Sequence, residues 1–458
     1  MAQQFENQGG MATSDPPAIV RWIGSKVMTR FCSAAAVERR RDRAERARRR
    51  AGALHRVEYF HQIDDGYSHL AAQLLRPLLE CYDVELVLHL VAAERGPNLP
   101  EPELLLALSR TDSAKVAPHY GLRFPEKTAP ADPELVELAG RILAAASAAE
   151  APEIAVAVGD ALWAADAAAL ETLARQHGSA PASELQARIA GGNARRAKLG
   201  HYSGAMLHYG GEWYWGADRL YHLENRLIDL GARREEADAL VCPRPGIELG
   251  PLRDDGSLTL EIYPSLRSPY TSVIFDLALR LGEETGIRTV VRPVLPMVMR
   301  GVPATRQKGF YIFGDAAREA RALGLDWGRF YDPIGAPVRN AYSLYPWAVE
   351  QGRGNALLSS FLRAAFFEGI DTNAERGLRT VVERAGLAWN AARGILGNRE
   401  WEESFEENRL AMYGFGSWGV PSFRLLDERG EQVLALWGQD RLWLFSREIQ
   451  RLLRERAA

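Results

Sequence analysis

Cysteine is scarce in this sequence of 458 residues: Cys32, Cys81 and Cys242 are its whole supply. They lie far apart and form no Cys-x-x-Cys, so their spacing supplies no disulfide framework, no zinc site and no dithiol redox pair. Long apolar runs are absent as well. No stretch reaches the roughly 18 apolar residues that a membrane-spanning helix needs. The early run Ala18-Ile19-Val20-Arg21-Trp22-Ile23-Gly24 is interrupted by Arg21 and does not read as a secretory signal. An amphipathic peripheral helix over residues 17–35 stays open. A positive excess is also missing. The 56 Lys and Arg stand against 59 Asp and Glu, a net charge of −3, which disfavours a general nucleic-acid binder. The local exception is the arginine-rich stretch 39–50, a solvated basic helix or leader, or else a contact for acidic lipid or nucleic acid. These absences suit a cytoplasmic globular protein, and two or three domains are expected at this length.

What the sequence does contain is an internal repeat. Trp215-Gly216-Ala217-Asp218-Arg219-Leu220 returns as Trp437-Gly438-Gln439-Asp440-Arg441-Leu442. Upstream, Val57-Glu58-Tyr59-Phe60 leads to Gly66-Tyr67-Ser68, and Leu260-Glu261-Ile262-Tyr263 leads to Pro269-Tyr270-Thr271. Similarity over blocks of this size means a duplicated domain rather than a solenoid of short units. The copies are unequal at one informative point: Asp65 precedes Gly66, whereas Ser268 precedes Pro269.

The chain divides accordingly. Residues 1–53 form a basic N-terminal appendage, 54–232 a first domain, 233–257 a linker rich in turn residues, and 258–458 a second domain. In the first domain, β-branched and aromatic residues place strands at 56–62 and 84–91, the latter interior, with a helix over 67–82 between them. The Ala/Leu/Glu-rich stretch 132–176 reads as several helices, followed by a hairpin at 205–209 and 213–215 and a helix over 218–230. The second domain repeats the order: strand 258–263, helix 269–284, strand 288–294, a helical insert over 304–415, hairpin strands 420–426 and 433–437, and helix 440–454. This is an α/β layout in which a hairpin adds antiparallel strands to a βαβ start.

Three short segments carry the chemistry. Pro269 suits the first position of a helix, which makes Ser268 its N-cap, with the hydroxyl at the positive end of the helix dipole. Alone, that is a capping serine. Val420-Pro421 opens a strand and is ordinarily a trans edge proline, and Asp440 starts the last helix and is ordinarily a cap. Their order and spacing resemble the DsbA-like thioredoxin superfamily, specifically its 2-hydroxychromene-2-carboxylate isomerase and kappa-class glutathione transferase branch. Ser268-Pro269-Tyr270-Thr271 stands where redox members carry Cys-Pro-x-Cys and this branch carries Ser-Pro-Tyr-Ser. Gly419-Val420-Pro421-Ser422-Phe423 is similar to the cis-proline loop, and residues 437–442 to the branch's Phe/Trp-Gly-x-Asp-Arg segment. Lys308-Gly309-Phe310-Tyr311, residues 315–324 and Glu350-Gln351-Gly352-Arg353-Gly354 are similar to its helical insert. The resemblance spans residues 258–454; over 55–231 it rests on the opening strand and helix and on the second Trp-Gly-x-Asp-Arg.

The resemblance implies two thioredoxin-like domains, each with a helical insert, packed as an intramolecular pseudo-dimer. It implies glutathione as cofactor, extended along Val420-Pro421, with Gln439 and Asp440 at its γ-glutamyl end, Lys308 among its contacts, and Ser268 donating to its sulfur. A charge-assisted hydrogen bond is worth roughly 1.5–3 kcal/mol, which at about 1.4 kcal/mol per unit lowers a thiol pKa by roughly one to two units. The implied activity is a glutathione-dependent isomerase or transferase acting on a small electrophilic substrate, an aromatic acid among the options, with no metal. The branch carries a longer loop after the second strand, with an asparagine; the short segment 296–301 has none. Arg267 either aids an anionic substrate or is a surface residue. In the first domain Asp65 would repel a thiolate, and Tyr202-Ser203-Gly204-Ala205-Met206 contains no proline, so that copy reads as degenerate. Two other functions stand beside this one. The first is a non-catalytic thioredoxin-like interaction protein. The second is a disulfide oxidoreductase, which the lack of cysteine at either helix N-terminus opposes.

Overall fold

Strand propensity and burial agree in the computed structural model, which describes residues 15–457 apart from 95, 127, 128 and 303. Two units emerge, one made of Met1–Val37 with Gly246–Ala458 and the other of Glu38–Pro245. Two helices precede the first sheet, α1 (Ala18–Cys32) and α2 (Ala34–Arg50). Of the segment 1–53 expected as an appendage, α1 packs within the unit that holds Gly246–Ala458, α2 runs on into the other unit, and residues 1–14 lie outside the described residues.

In the unit Glu38–Pro245, β1 (His55–Gln62) pairs in parallel with β2 (Val84–Val91), and β3 (Met206–Tyr209) and β4 (Glu212–Trp215) add an antiparallel hairpin in the order β2-β1-β3-β4. Val57, Tyr59 and Phe60 of the central strand are fully buried, each worth roughly 1.5–3 kcal/mol of transfer free energy. The interior position expected for residues 84–91 is corrected: β2 is an edge strand, covered by the helix Ala182–Leu199. The helix expected over 67–82 is two, α3 (Gly66–Gln73) and a second piece, Leu75–Cys81, restarting at Leu74. Pro77 explains the break, since it has no N–H to donate back to residue 73. The stretch 132–176 does hold several helices, and two more flank it: α4 (Pro102–Val116) and α5 (Ala182–Leu199). At Gly192 in α5 an added Cβ would sit 2.0 Å from the Leu90 carbonyl oxygen of β2, so only glycine permits this approach. Helix α6 (Gly216–Asp229) closes the unit's repeat segment.

The other unit has the same plan. Strands β5 (Thr259–Tyr263) and β6 (Arg288–Val291) are parallel, β7 (Ser422–Leu426) and β8 (Gln432–Trp437) are antiparallel, and the order is β6-β5-β7-β8. Helix α7 (Pro269–Thr285) follows β5 and ends at Gly286, whose φ of +76° glycine adopts without cost. The helical insert opens with α8 (Arg306–Ala322), and a 3-10 turn (Gln439–Arg441) leads from β8 into α9 (Leu442–Ala457). The two α/β sheets, each with a helical insert, are the architecture expected of thioredoxin-like domains.

Candidate functional site

Ser268 ends the loop after β5 and caps α7. Its Oγ accepts from the Thr271 N–H at 3.2 Å and donates to the Val420 carbonyl at 3.1 Å, across 152 positions of sequence. The Val420-Pro421 peptide is cis. The Pro421 carbonyl accepts from the Gly438 N–H at 3.0 Å, which ties the turn carrying Gln439 and Asp440 to the proline loop. An added Cβ at Gly419 would lie 2.3 Å from the Trp437 ring, so the absence of a side chain is what lets the indole cover the loop. Among the described residues the Val420 N–H has no partner. Ser268, Val420 and Asp440 are half-buried and Pro421 is buried.

The remaining expected site residues fall differently. Gln439 is 2 % exposed, and its Nε2 donates to Glu319 Oε2 on α8 at 2.8 Å. Its side chain is therefore turned into the protein. Asp440 stays at the turn, with Oδ1 3.7 Å from Arg441 Nη1. Lys308 lies in the first turn of α8, its backbone N–H donating to Thr305 Oγ1 at 3.1 Å. At 1.5 Å per residue it is about 10 Å along the helix from Asp315, the residue that accepts from Tyr270 Oη at 2.9 Å. Burial lowers the Lys308 ammonium to about 8. Arg267 is engaged too: Nε and Nη2 donate to the two carboxylate oxygens of Asp332 at 2.9 and 3.0 Å. Burial alone would raise the Asp332 carboxyl, but the Arg267 guanidinium overcomes this and holds it below the ordinary carboxylate range. The sequence reading missed Glu319 and Asp332; each is remote from its partner, and no local pattern marks either.

The corresponding corner of the first unit is closed from within. Asp65 caps α3, accepting from the N–H groups of Tyr67 and Ser68 at 3.4 and 3.0 Å and from Ser68 Oγ at 2.8 Å. Burial pushes its carboxyl up to about 6, against these bonds from Ser68 and Tyr67. Ala205 takes the place of Pro421, its carbonyl accepting from the Gly216 N–H at 2.8 Å as Pro421's does from Gly438. Having an N–H that proline lacks, Ala205 donates it inward to Ser68 Oγ at 2.9 Å, with φ at +54°. Asp218, the counterpart of Asp440, accepts from Tyr120 Oη at 2.8 Å.

Residues 259–450 match the family model of the DSBA-like thioredoxin domain. Those residues form a DsbA-like thioredoxin domain. Among solved structures, the chain is similar to a probable DsbA oxidoreductase from Streptomyces coelicolor, at 21 % identity and TM-score 0.34, covering 42 % of this chain and 89 % of that one. It is also similar to a 2-hydroxychromene-2-carboxylate isomerase, at 20 % identity and TM-score 0.37, covering 43 % of this chain and 98 % of that one. No curated protein matches the chain. The DsbA-like domain holds no cysteine of its own. Cys32 is buried, with its Sγ 3.6 Å from the Phe313 carbonyl, Cys242 is buried against the Ala217 carbonyl at 3.4 Å, and Cys81 ends a short helix of the other unit.

Proposed function

We propose that the DsbA-like domain binds glutathione at the cluster of Ser268, Val420, Pro421 and Asp440 and acts on a small electrophilic substrate as an isomerase or transferase. One observation carries this reading: the Ser268 hydroxyl, fixed at the first turn of α7, is aimed at the Val420-Pro421 loop, where the Val420 N–H is left without a partner among the described residues. That combination fits a short peptide thiol, with an extended backbone to pair and a sulfur to receive a hydrogen bond. When bound, glutathione supplies a thiolate nucleophile. Ser268 exchanges the Val420 carbonyl for the sulfur and, helped by the α7 dipole, favours the ionised thiol over the neutral one. Val420 N–H donates to the ligand backbone, and Asp440 pairs with the ammonium of its γ-glutamyl end. Gln439 supports the Asp440 turn from inside, through Glu319. Lys308 keeps only part of its charge near pH 8, so any hold it has on a ligand carboxylate weakens as pH rises through that value. Arg267 is assigned to the Asp332 ion pair and not to the substrate.

Calorimetric titration with glutathione tests the assignment. Wild type should bind saturably. Asp440→Ala should weaken binding roughly tenfold or more, having lost a charge pair. Ser268→Ala should stay within a few-fold, because most contacts are to the ligand's backbone and ends. No heat of binding to wild type would leave the interaction-protein reading in its place.

A further inference from the structure

Helix α1 is amphipathic in the inverted sense. The face it turns to the protein is polar. Arg21 and Ser25 are 3 % and 1 % exposed, and Arg21 Nη1 donates to the carbonyls of Asp332 and Ile334 at 2.7 and 2.6 Å. Ser25 Oγ accepts from the Asp332 N–H at 2.9 Å, Thr29 Oγ1 accepts from the Phe330 N–H at 3.0 Å, and Arg321 Nη1 donates to the Cys32 carbonyl at 3.0 Å. The face it turns outward is apolar: Ile19, Val20, Trp22, Ile23 and Val27 are 48–61 % exposed. At 3.6 residues per turn these five share one side of the helix with the exposed Lys26 and Arg30. A helix docked only to fill a groove would place these faces the other way round, so the polar anchors serve to present the apolar side. The charge on the helix narrows what that side meets: α1 holds Arg21, Lys26 and Arg30 and no acidic side chain, in a chain whose net charge is −3.

We propose that α1, with its exposed Lys26 and Arg30, docks on the surface of an anionic lipid bilayer, lying in the interface with Trp22 and its aliphatic neighbours among the acyl chains. Aliphatic and tryptophan side chains flanked by Lys and Arg are what such an interface selects. A nucleic-acid surface would use Lys26 and Arg30 but give no role to Ile19, Ile23 and Val27. No helix among the described residues is long and apolar enough to cross a membrane, so the contact is one of lying on the bilayer. It is independent of the glutathione site.

The test is cosedimentation of the full chain with vesicles of phosphatidylcholine and phosphatidylglycerol in equal parts, against vesicles of phosphatidylcholine alone. Wild type should prefer the anionic vesicles by roughly tenfold or more, and the preference should fall with added salt. The double variant Ile23→Glu with Val27→Glu should lose most of that binding. A second variant, Lys26 and Arg30 both to Gln, should reduce the anionic preference while leaving the apolar residues intact. Both sets of positions are exposed, and circular dichroism shows whether the variants remain folded. The proposal is overturned if wild type binds neither vesicle, or if the double variant binds as wild type does. It is equally overturned if Ile23→Glu abolishes a concentration-dependent dimer in a protein that ignores lipid, or if a DNA duplex binds and the double variant leaves that binding unchanged.

Discussion

A single residue separates the two helix caps. Ser268 caps with a neutral hydroxyl that stays half-exposed and free to exchange its acceptor; Asp65 caps with a carboxyl 8 % exposed and locked to Ser68 and Tyr67. The consequence for stability has a definite sign. Burial raises the folded-state carboxyl of Asp65 to about 6, above its unfolded value, so the folded chain holds that proton more tightly. Its contribution is complete below about pH 4 and is lost as pH rises through about 6. Asp65→Asn keeps an effective cap and removes the charge. It should therefore stabilise the first unit at pH 7.5 by up to about 2–3 kcal/mol, the equivalent of two pKa units, and give no such gain near pH 4. Denaturant unfolding of both proteins at the two pH values checks this; an equal difference at both would show that Asp65 is not the titrating group. The Ser-for-Asp exchange was legible because it sits inside a repeat. The inward turn of Gln439 was not, because its partner Glu319 is 120 positions away.

At the scale of elements, the sequence pattern distinguished strand from helix better than it assigned place. Residues 84–91 are apolar enough to be buried on both faces, and they lie where the strand was expected, yet β2 is at the sheet edge. Its cover is α5, a helix outside the stretch 132–176 read as helical, brought to contact distance by one glycine. Gly192→Ala should separate α5 from β2 and destabilise the first unit by about 1–3 kcal/mol, the usual cost of overpacking. Thermal unfolding measures it, and an unchanged midpoint would mean that the close approach is not maintained. Likewise the break at Leu74 followed from a proline visible in the sequence, whereas the polar docking of α1 depended on carbonyls of Asp332 and Ile334, more than 300 positions distant.

For the whole molecule, the shared strand order of the two sheets is matched by shared interior chemistry. Each central strand buries a glutamate between two nitrogen-bearing side chains: Glu58 meets Arg195 at 2.6 Å and His89 at 2.9 Å, and Glu261 meets Arg292 at 2.7 Å and Arg424 at 2.6 Å. The repeated segments in the sequence made this common plan readable. What they left open was that the corner beside Ala205 is closed from within: Ala205 gives its N–H to Ser68 Oγ and Asp218 accepts from Tyr120 Oη. Glutathione should accordingly bind with a stoichiometry of one per chain, and a calorimetric value of two would contradict the closed state of the first unit. The most direct test of the central claim is the ultraviolet absorbance of the thiolate of bound glutathione, followed against pH in wild type and in Ser268→Ala. The serine hydroxyl should hold the bound thiol roughly one to two units below its value in the variant, and turnover at neutral pH should fall roughly 10–100-fold with it. Superimposable titration curves for the two proteins would contradict it and leave Ser268 as a helix cap alone.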